Sequence, residues 1–347
     1  MKHLLITYDY ELFLGKRSGT VTDCMTSPSD ALLEVMRPFG IRSVFFVDTT
    51  CLLTLKESTD PRCKSDFEQI ADQLRKMVSE GHYVFPHIHP HWLDAVHDPE
   101  THQWDLSNTA KYLFRNISEA ERQKVFAGSV QLLQEILAAT SPDYRVTGYR
   151  AGGWGIQPFT FFRPYFEQYG ILYDFSVLSR FYQFTDAQYF DFSDAPEKHV
   201  YRFSDDVCKE DPSGPFIQFS IDSVKTGTLT SVLDKIWIKY LYKVQKDHTF
   251  HKGAGQPSRT LAGTAPKSPK GIELGSPGLE RIAVESLTSV RLPSYRRHLD
   301  EQDYMHFLSH PKMITRHNIK TFKRFLENAF HRHVIETDFM KMIPFAA

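Results

Sequence analysis

The sequence predicts an α/β protein organised around parallel strands, on three observations. Short apolar runs alternate with longer segments of helical spacing, cap and stop residues punctuate the helices, and reactive side chains follow several of the apolar runs. Strands and helices alternating in this way favour a parallel sheet or barrel, with helices packed outside it.

The elements follow in order. His3–Asp9 (HLLITYD) reads as a buried strand, Pro28–Pro38 as a helix stopped by Gly40, and Arg42–Val47 as a second strand. Asp66–Ser79 is a helix with Ile70, Leu74 and Met77 on one face, ended by Gly81, and Tyr83–His87 is a third strand. Ser118–Ala139 is a long amphipathic helix opened by a capping box, Ser118 with Glu121. Arg145–Tyr149 is a fourth strand, Phe159–Tyr169 a helix, Leu172–Val177 a fifth strand and Phe216–Ser220 another. Leu229–Val244 is helical, Tyr304–Leu308 is the last apolar run, and Arg316–Phe330 is the closing helix. Between these, Lys252–Gly278 is rich in Gly, Pro, Ser and Lys and reads as a mobile insertion within a single domain spanning 1–347.

Composition narrows the function. The 347 residues are 41% hydrophobic, enough for a sizeable core, and the 27 Phe and 16 Tyr suit core packing or a sugar-stacking cleft. The net charge is −1 with no long Lys/Arg block, which argues against nucleic acid as a partner. No apolar run reaches the roughly 18 residues of a membrane span. The opening MKHLLITYDYELF lacks a secretory apolar region, and Cys24, Cys51, Cys63 and Cys208 show no CxxC spacing, so reduced thiols and a cytoplasmic location are expected.

Four segments carry chemistry. Asp9 and Glu11 alternate at the end of the first strand and point to one side, where two carboxylates need a cation or a shared proton. Residues 86–92, PHIHPHW, hold three histidines within five positions, a metal-site pattern suited to Zn²⁺ with one carboxylate. Strand alternation would put His87 and His89 on one face, whereas Pro90 at a first helical turn would swing His91 round to meet His87; spacing leaves both open. Residues 148–155, GYRAGGWG, offer Arg150 to hold a carboxylate and Trp154 to stack on a sugar, with Tyr149 and Trp92 as further substrate contacts. His310, in Ser309-His310-Pro311, is a candidate general acid.

In order, TYDYE, HIHPH, YRAGGWG and LSHP, with YDFSV at 173–177, resemble the motif series of the polysaccharide deacetylase family, also called the NodB homology domain or carbohydrate esterase family 4. The resemblance runs from about residue 3 to 335 and is nearest the WalW-like group. It implies a distorted (β/α) barrel and a metal-dependent hydrolase, with Zn²⁺ the expected ion, that removes an acetyl group from an acetylated carbohydrate. It assigns Asp9 as catalytic base, Arg150 as its orienting partner and His310 as the acid that protonates the leaving amine. Glu11, His87 and His91 become the metal ligands, with His89 the runner-up for the last, and Asp174 supports the site. The chain departs from many members in having Tyr10 between the two carboxylates. Two other readings stand beside this one: a small-molecule amidohydrolase with the same metal site, and a non-catalytic sugar-binding protein.

Overall fold

Strand β1 (Lys2–Tyr10) is buried at every residue after the first, with the apolar run Leu4–Ile6 at its centre and the buried polar residues Thr7 and Asp9 toward its end. The structure, a computed structural model, describes residues 1–247 and 270–346. In its main sheet β1 is joined by β2 (Val44–Asp48), β3 (Tyr83–Ile88), β4 (Gly148–Ala151) and β5 (Tyr173–Asp174). The later members are β6 (Val200–Phe203), β7 (Phe216–Phe219), β8 (Tyr304–Ser309) and β9 (Ile335–Glu336). The order is β6-β7-β5-β4-β3-β2-β1-β8, with β9 also on β1, and every pairing is parallel except β6 with β7.

The sheet curls into a distorted (β/α) barrel. Its two edges do not pair directly; a stretch around Ile282 bridges them, its N–H donating to Asp222 O (3.1 Å) and its carbonyl accepting from Leu308 N (3.0 Å). Inside β8, His306 Nδ1 lies 2.8 Å from Ser220 O, tying the far edge to the end of β7.

Helices α1 (Ser27–Met36), α2 (Thr49–Glu57), α3 (Pro61–Ser79), α4 (Glu119–Ala138) and α5 (Arg163–Tyr169) precede α6 (Thr228–Lys243), α7 (Leu292–Glu301) and α8 (Arg316–Arg332). The capping box of α4 is formed: Ser118 Oγ accepts from Glu121 N, and Glu121 Oε2 accepts from Ser118 N. Among the described residues no helix is long and apolar enough to cross a membrane.

Alternation along β1 divides the side chains. Tyr8 and Tyr10 face the helices, their hydroxyls donating to Met36 Sδ and Gln73 Oε1, while Thr7 and Asp9 face the barrel interior. Aromatic rings floor that interior: Phe175 stacks on Phe219 at 4.8 Å and meets Phe46 at 5.1 Å, and Phe339 meets Tyr83, Phe85, Tyr173 and Phe219 from below.

Several elements differ from the sequence reading. The fourth strand is Gly148–Ala151 rather than Arg145–Tyr149, so Arg150 belongs to a strand and not to the loop after it. Gly148 lies inside the strand, and its missing side chain is what leaves room for the Phe85 ring; a Cβ there would lie 2.4 Å from Phe85 Cδ2. Helix α2 begins in two threonines and escapes propensity reasoning because Asp48 caps it, accepting from Cys51 N at 3.1 Å. Strand β6 and helix α7 were not expected from periodicity. Of the expected mobile insertion at 252–278, residues 252–269 lie outside the described residues. Residues 270–278 are built into the fold, with Ile272–Glu273 paired to Phe181–Tyr182.

Gly148→Ala should lower stability by about 1–3 kcal/mol, the usual range for overpacking a tight core, read as a drop in the urea midpoint; an unchanged midpoint would mean the Phe85 ring yields freely.

Candidate active site

The strand ends β1, β3, β4 and β8 converge on a cleft of about 590 Å³, lined by Asp9, Glu11, His87, His89, His310 and Trp154 among others. This is the carboxyl end of the parallel strands, where such folds place their reactive groups.

Arg150 lies wholly buried beneath Asp9, its guanidinium 4.0 Å above the Phe46 ring. It donates from Nη1 to Asp9 Oδ1 (2.6 Å), from Nη2 to Thr7 Oγ1 (2.8 Å) and from Nε to Phe175 O (3.0 Å). Burial works against the Asp9 charge, but Arg150, with His87 and His310 behind it, outweighs burial and holds the carboxyl below its ordinary range. Asp9 Oδ2 remains turned to the cleft, 3.8 Å from His87 Nε2 and 3.6 Å from His310 Nε2.

Glu11 splits its two oxygens. Oε1 accepts from Lys312 Nζ at 3.0 Å, and Oε2 faces the imidazoles, 2.6 Å from His89 Nε2 and 3.7 Å from His87 Nε2. Burial is again opposed, here by Lys312 and His89, and the Glu11 carboxyl sits well below the usual range. Burial pushes His87 down to about 4, so the ring is neutral at pH 7. Its Nδ1 lies 2.8 Å from Arg150 O and takes the proton as donor, which leaves the Nε2 lone pair facing the carboxylates. Burial lowers His89 too, but Glu11 more than compensates and raises it.

A divalent ion needs convergent lone pairs, and Glu11, His87 and His89 each bring one donor atom within 4.8 Å of the others. His89 Nδ1 is buried without a hydrogen bond, and Nε2 meets only Glu11 Oε2 at 2.6 Å, a close approach that a cation held between them would take over. Two imidazoles and a carboxylate suit Zn²⁺ or a related ion with positions left open, so the residues fit the group. His89 is set in place by α2, since its N–H donates to Thr50 Oγ1 at 2.9 Å.

The expected ligand His91 does not join this group. Pro90 does open a short 3₁₀ turn, but that turn lays the His91 ring flat on Tyr112 (4.7 Å, 16°), with Nδ1 buried and unbonded. Strand alternation instead places His87 and His89 together beside Glu11. His310 sits across the cleft, its Nδ1 3.0 Å from Glu285 Oε1. Burial raises the Glu285 carboxyl less than Arg281 and His310 lower it, so Glu285 stays charged beside the imidazole.

The expected substrate contacts divide. Trp154 lines the cleft. Tyr149 does not: its ring is fully buried against Phe126, Phe162 and Phe166, on the helix side of β4. Trp92 is also turned away, its Nε1 donating to Asp48 Oδ2 (2.6 Å) and its ring packed on Trp104. Asp174 is buried below the cleft, accepting from Ser176 N and Oγ, and burial pushes it up to about 6. Sequence reasoning missed Glu285, Lys312, Arg281 and Tyr112. A lone acid inside the apolar run IAVESL was the available signal for Glu285, and proximity to His310 the signal for Lys312.

No family model and no curated protein matches the chain. Among solved structures it is similar to a Mycobacterium smegmatis protein described as a polysaccharide deacetylase, at TM-score 0.48 and 11% identity over 99% of this chain and 90% of that one. It is similar to the Puue allantoinase at TM-score 0.49 and 12% identity, covering 97% and 86%. It is similar also to a GH57-type branching enzyme from Pyrococcus horikoshii, at TM-score 0.49 and 12% identity over 98% and 70%. These values fix neither a family nor an activity.

Two outcomes follow from the electrostatics. Lys312→Met should destabilise the metal-free chain by about 3 kcal/mol, the cost of leaving a buried charge without its partner. Zn²⁺ should then restore more stability to the variant than it adds to the wild type; equal gains in urea titrations would show that Glu11 does not face the ion. Asp174 titrates near 4 when unfolded, so between about pH 4 and 6 the folded chain holds a proton that the unfolded chain releases, and stability falls as pH rises through that window. The loss is about 3 kcal/mol at most, at ~1.4 kcal/mol per pH unit, and the urea midpoint of Asp174→Asn should lack this slope.

Proposed function

We propose that the chain is a metal-dependent amide hydrolase that removes an N-acetyl group from an acetylated carbohydrate. The observation that carries this is the convergence of Asp9, Glu11, His87, His89 and His310 on one cleft. The ordered resemblance of the surrounding motifs to polysaccharide deacetylases supplies the substrate class. Glu11, His87 and His89 would hold a divalent ion, Zn²⁺ fitting their donors, which acts as a Lewis acid toward the amide carbonyl.

The chain's own residues supply the rest. Asp9 Oδ2 accepts the proton of the attacking water, kept ionised and aimed by Arg150 on its other oxygen. Glu285 on Nδ1 stabilises the protonated imidazole of His310 and turns Nε2–H into the cleft, where it donates to the departing nitrogen. Base and acid stand 3.6 Å apart, close enough to serve one tetrahedral centre in succession. Trp154 offers a face for the sugar ring.

One observation favours the non-catalytic sugar-binding reading: the Lys312 ammonium already supplies Glu11 with a positive charge. Metal analysis and turnover separate the two. With an N-acetylglucosamine oligomer as probe, Asp9→Asn should lose at least about 100-fold in kcat while keeping its zinc. His87→Ala and His89→Ala should each lose one equivalent of zinc relative to wild type, and His91→Ala should keep it. Full activity in Asp9→Asn would remove the base assignment. A zinc-saturated chain that releases acetate from no acetylated sugar would leave the sugar-binding reading standing.

A further inference from the structure

A second cluster of metal-ligating side chains lies where the start of α3 meets the hairpin Val96–Asp98/Gln103–Asp105. Cys63, His97 and His102 each bring a donor atom within 4.8 Å of the others. Cys63 Sγ is 3.7 Å from His97 Nε2, and His97 Nε2 is 3.1 Å from His102 Nδ1. Around a tetrahedral zinc with Zn–N near 2.1 Å and Zn–S near 2.3 Å, ligand atoms stand about 3.3–3.6 Å apart. The two separations bracket that range.

The outer contacts are those a metal-bound imidazole requires. His102 Nε2 lies 2.9 Å from Asp66 Oδ2, so the carboxylate takes the proton on that nitrogen and leaves the Nδ1 lone pair aimed at the other two groups. The His102 backbone is held at φ 52°, a conformation that non-glycine residues adopt at a cost, and it is this bend that turns the ring inward. Cys63 is buried, while the His97 and His102 side chains are 15% and 21% exposed, which leaves a way in for an ion and a place for solvent as fourth ligand. Asp60, on the far side of His97, is taken up by Arg62 and is not a ligand.

We propose that Cys63, His97 and His102 form a second site, for a zinc-like divalent cation, that clips the 96–105 hairpin to helix α3. The clip bears on the wall of the cleft. Trp104 of the hairpin packs on His97 (4.7 Å) and on Trp92 (5.3 Å), and Trp92 reaches Asp48, the cap of the helix that positions His89.

Cobalt distinguishes this site from the one at Glu11, because only this one contains a thiolate. Titrating the metal-free chain with Co²⁺ should produce a near-ultraviolet thiolate-to-cobalt absorption that saturates by two equivalents, one for each site, with the amplitude of a single cobalt–thiolate bond. The band should disappear in Cys63→Ser, weaken strongly in His102→Ala, and persist in His87→Ala. Absence of the band from the wild type at saturating Co²⁺, which needs no variant to fold, overturns the proposal, as does its survival in Cys63→Ser. Loss of deacetylation without loss of the band would count against the hydrolase reading alone.

Discussion

A wholly buried arginine beneath a buried aspartate is the constraint around which this barrel is arranged. A guanidinium out of water is tolerable only if its donors are met, and Arg150 meets its own with Asp9, Thr7 and the carbonyl of Phe175. These partners come from separate parts of the chain, so the ion pair can form only when β1, β4 and the residues after β5 are in register. The aromatic floor beneath it excludes water and makes that register costly to lose.

The same pairing logic organises the mouth of the cleft. Asp9 and Glu11 line it and Glu285 stands behind His310, and each carboxylate has a cation beside it: Arg150 for Asp9, Lys312 for Glu11, Arg281 for Glu285. This leaves the carboxylates charged in a dry setting. It also leaves one oxygen of Asp9 and one of Glu11 turned toward the imidazoles. Neutral His87, and His310 backed by Glu285, then offer different chemistry from identical side chains. The partner on the far nitrogen makes the difference: a backbone carbonyl for His87, a carboxylate for His310.

Much of this was legible in the chain. Period-two alternation placed Asp9 and Glu11 on one side of a strand, and three histidines in five residues marked the other wall. The succession of strands along the chain, the long helices and the capping box of α4 follow from local signals. What local signals misjudged were positions whose role is set by a distant neighbour. Gly148 carries no local sign that it accommodates Phe85; Thr49 and Thr50 are β-branched but follow an aspartate cap and start a helix. Tyr149 and Trp92 look like sugar contacts by their motifs but pack into the core.

By itself, then, the sequence determined the alternating architecture and the types of group present, because periodicity and composition are local properties of the chain. Only the tertiary structure shows that His89 rather than His91 lies beside Glu11, that Lys312 and Glu285 complete the charge balance, and that Cys63 meets His97 and His102. The contacts span 25 positions for Glu285 with His310, 34 for Cys63 with His97 and 301 for Lys312 with Glu11, and spacing along a chain carries no information about distances that arise only when a sheet curls and its edges are bridged.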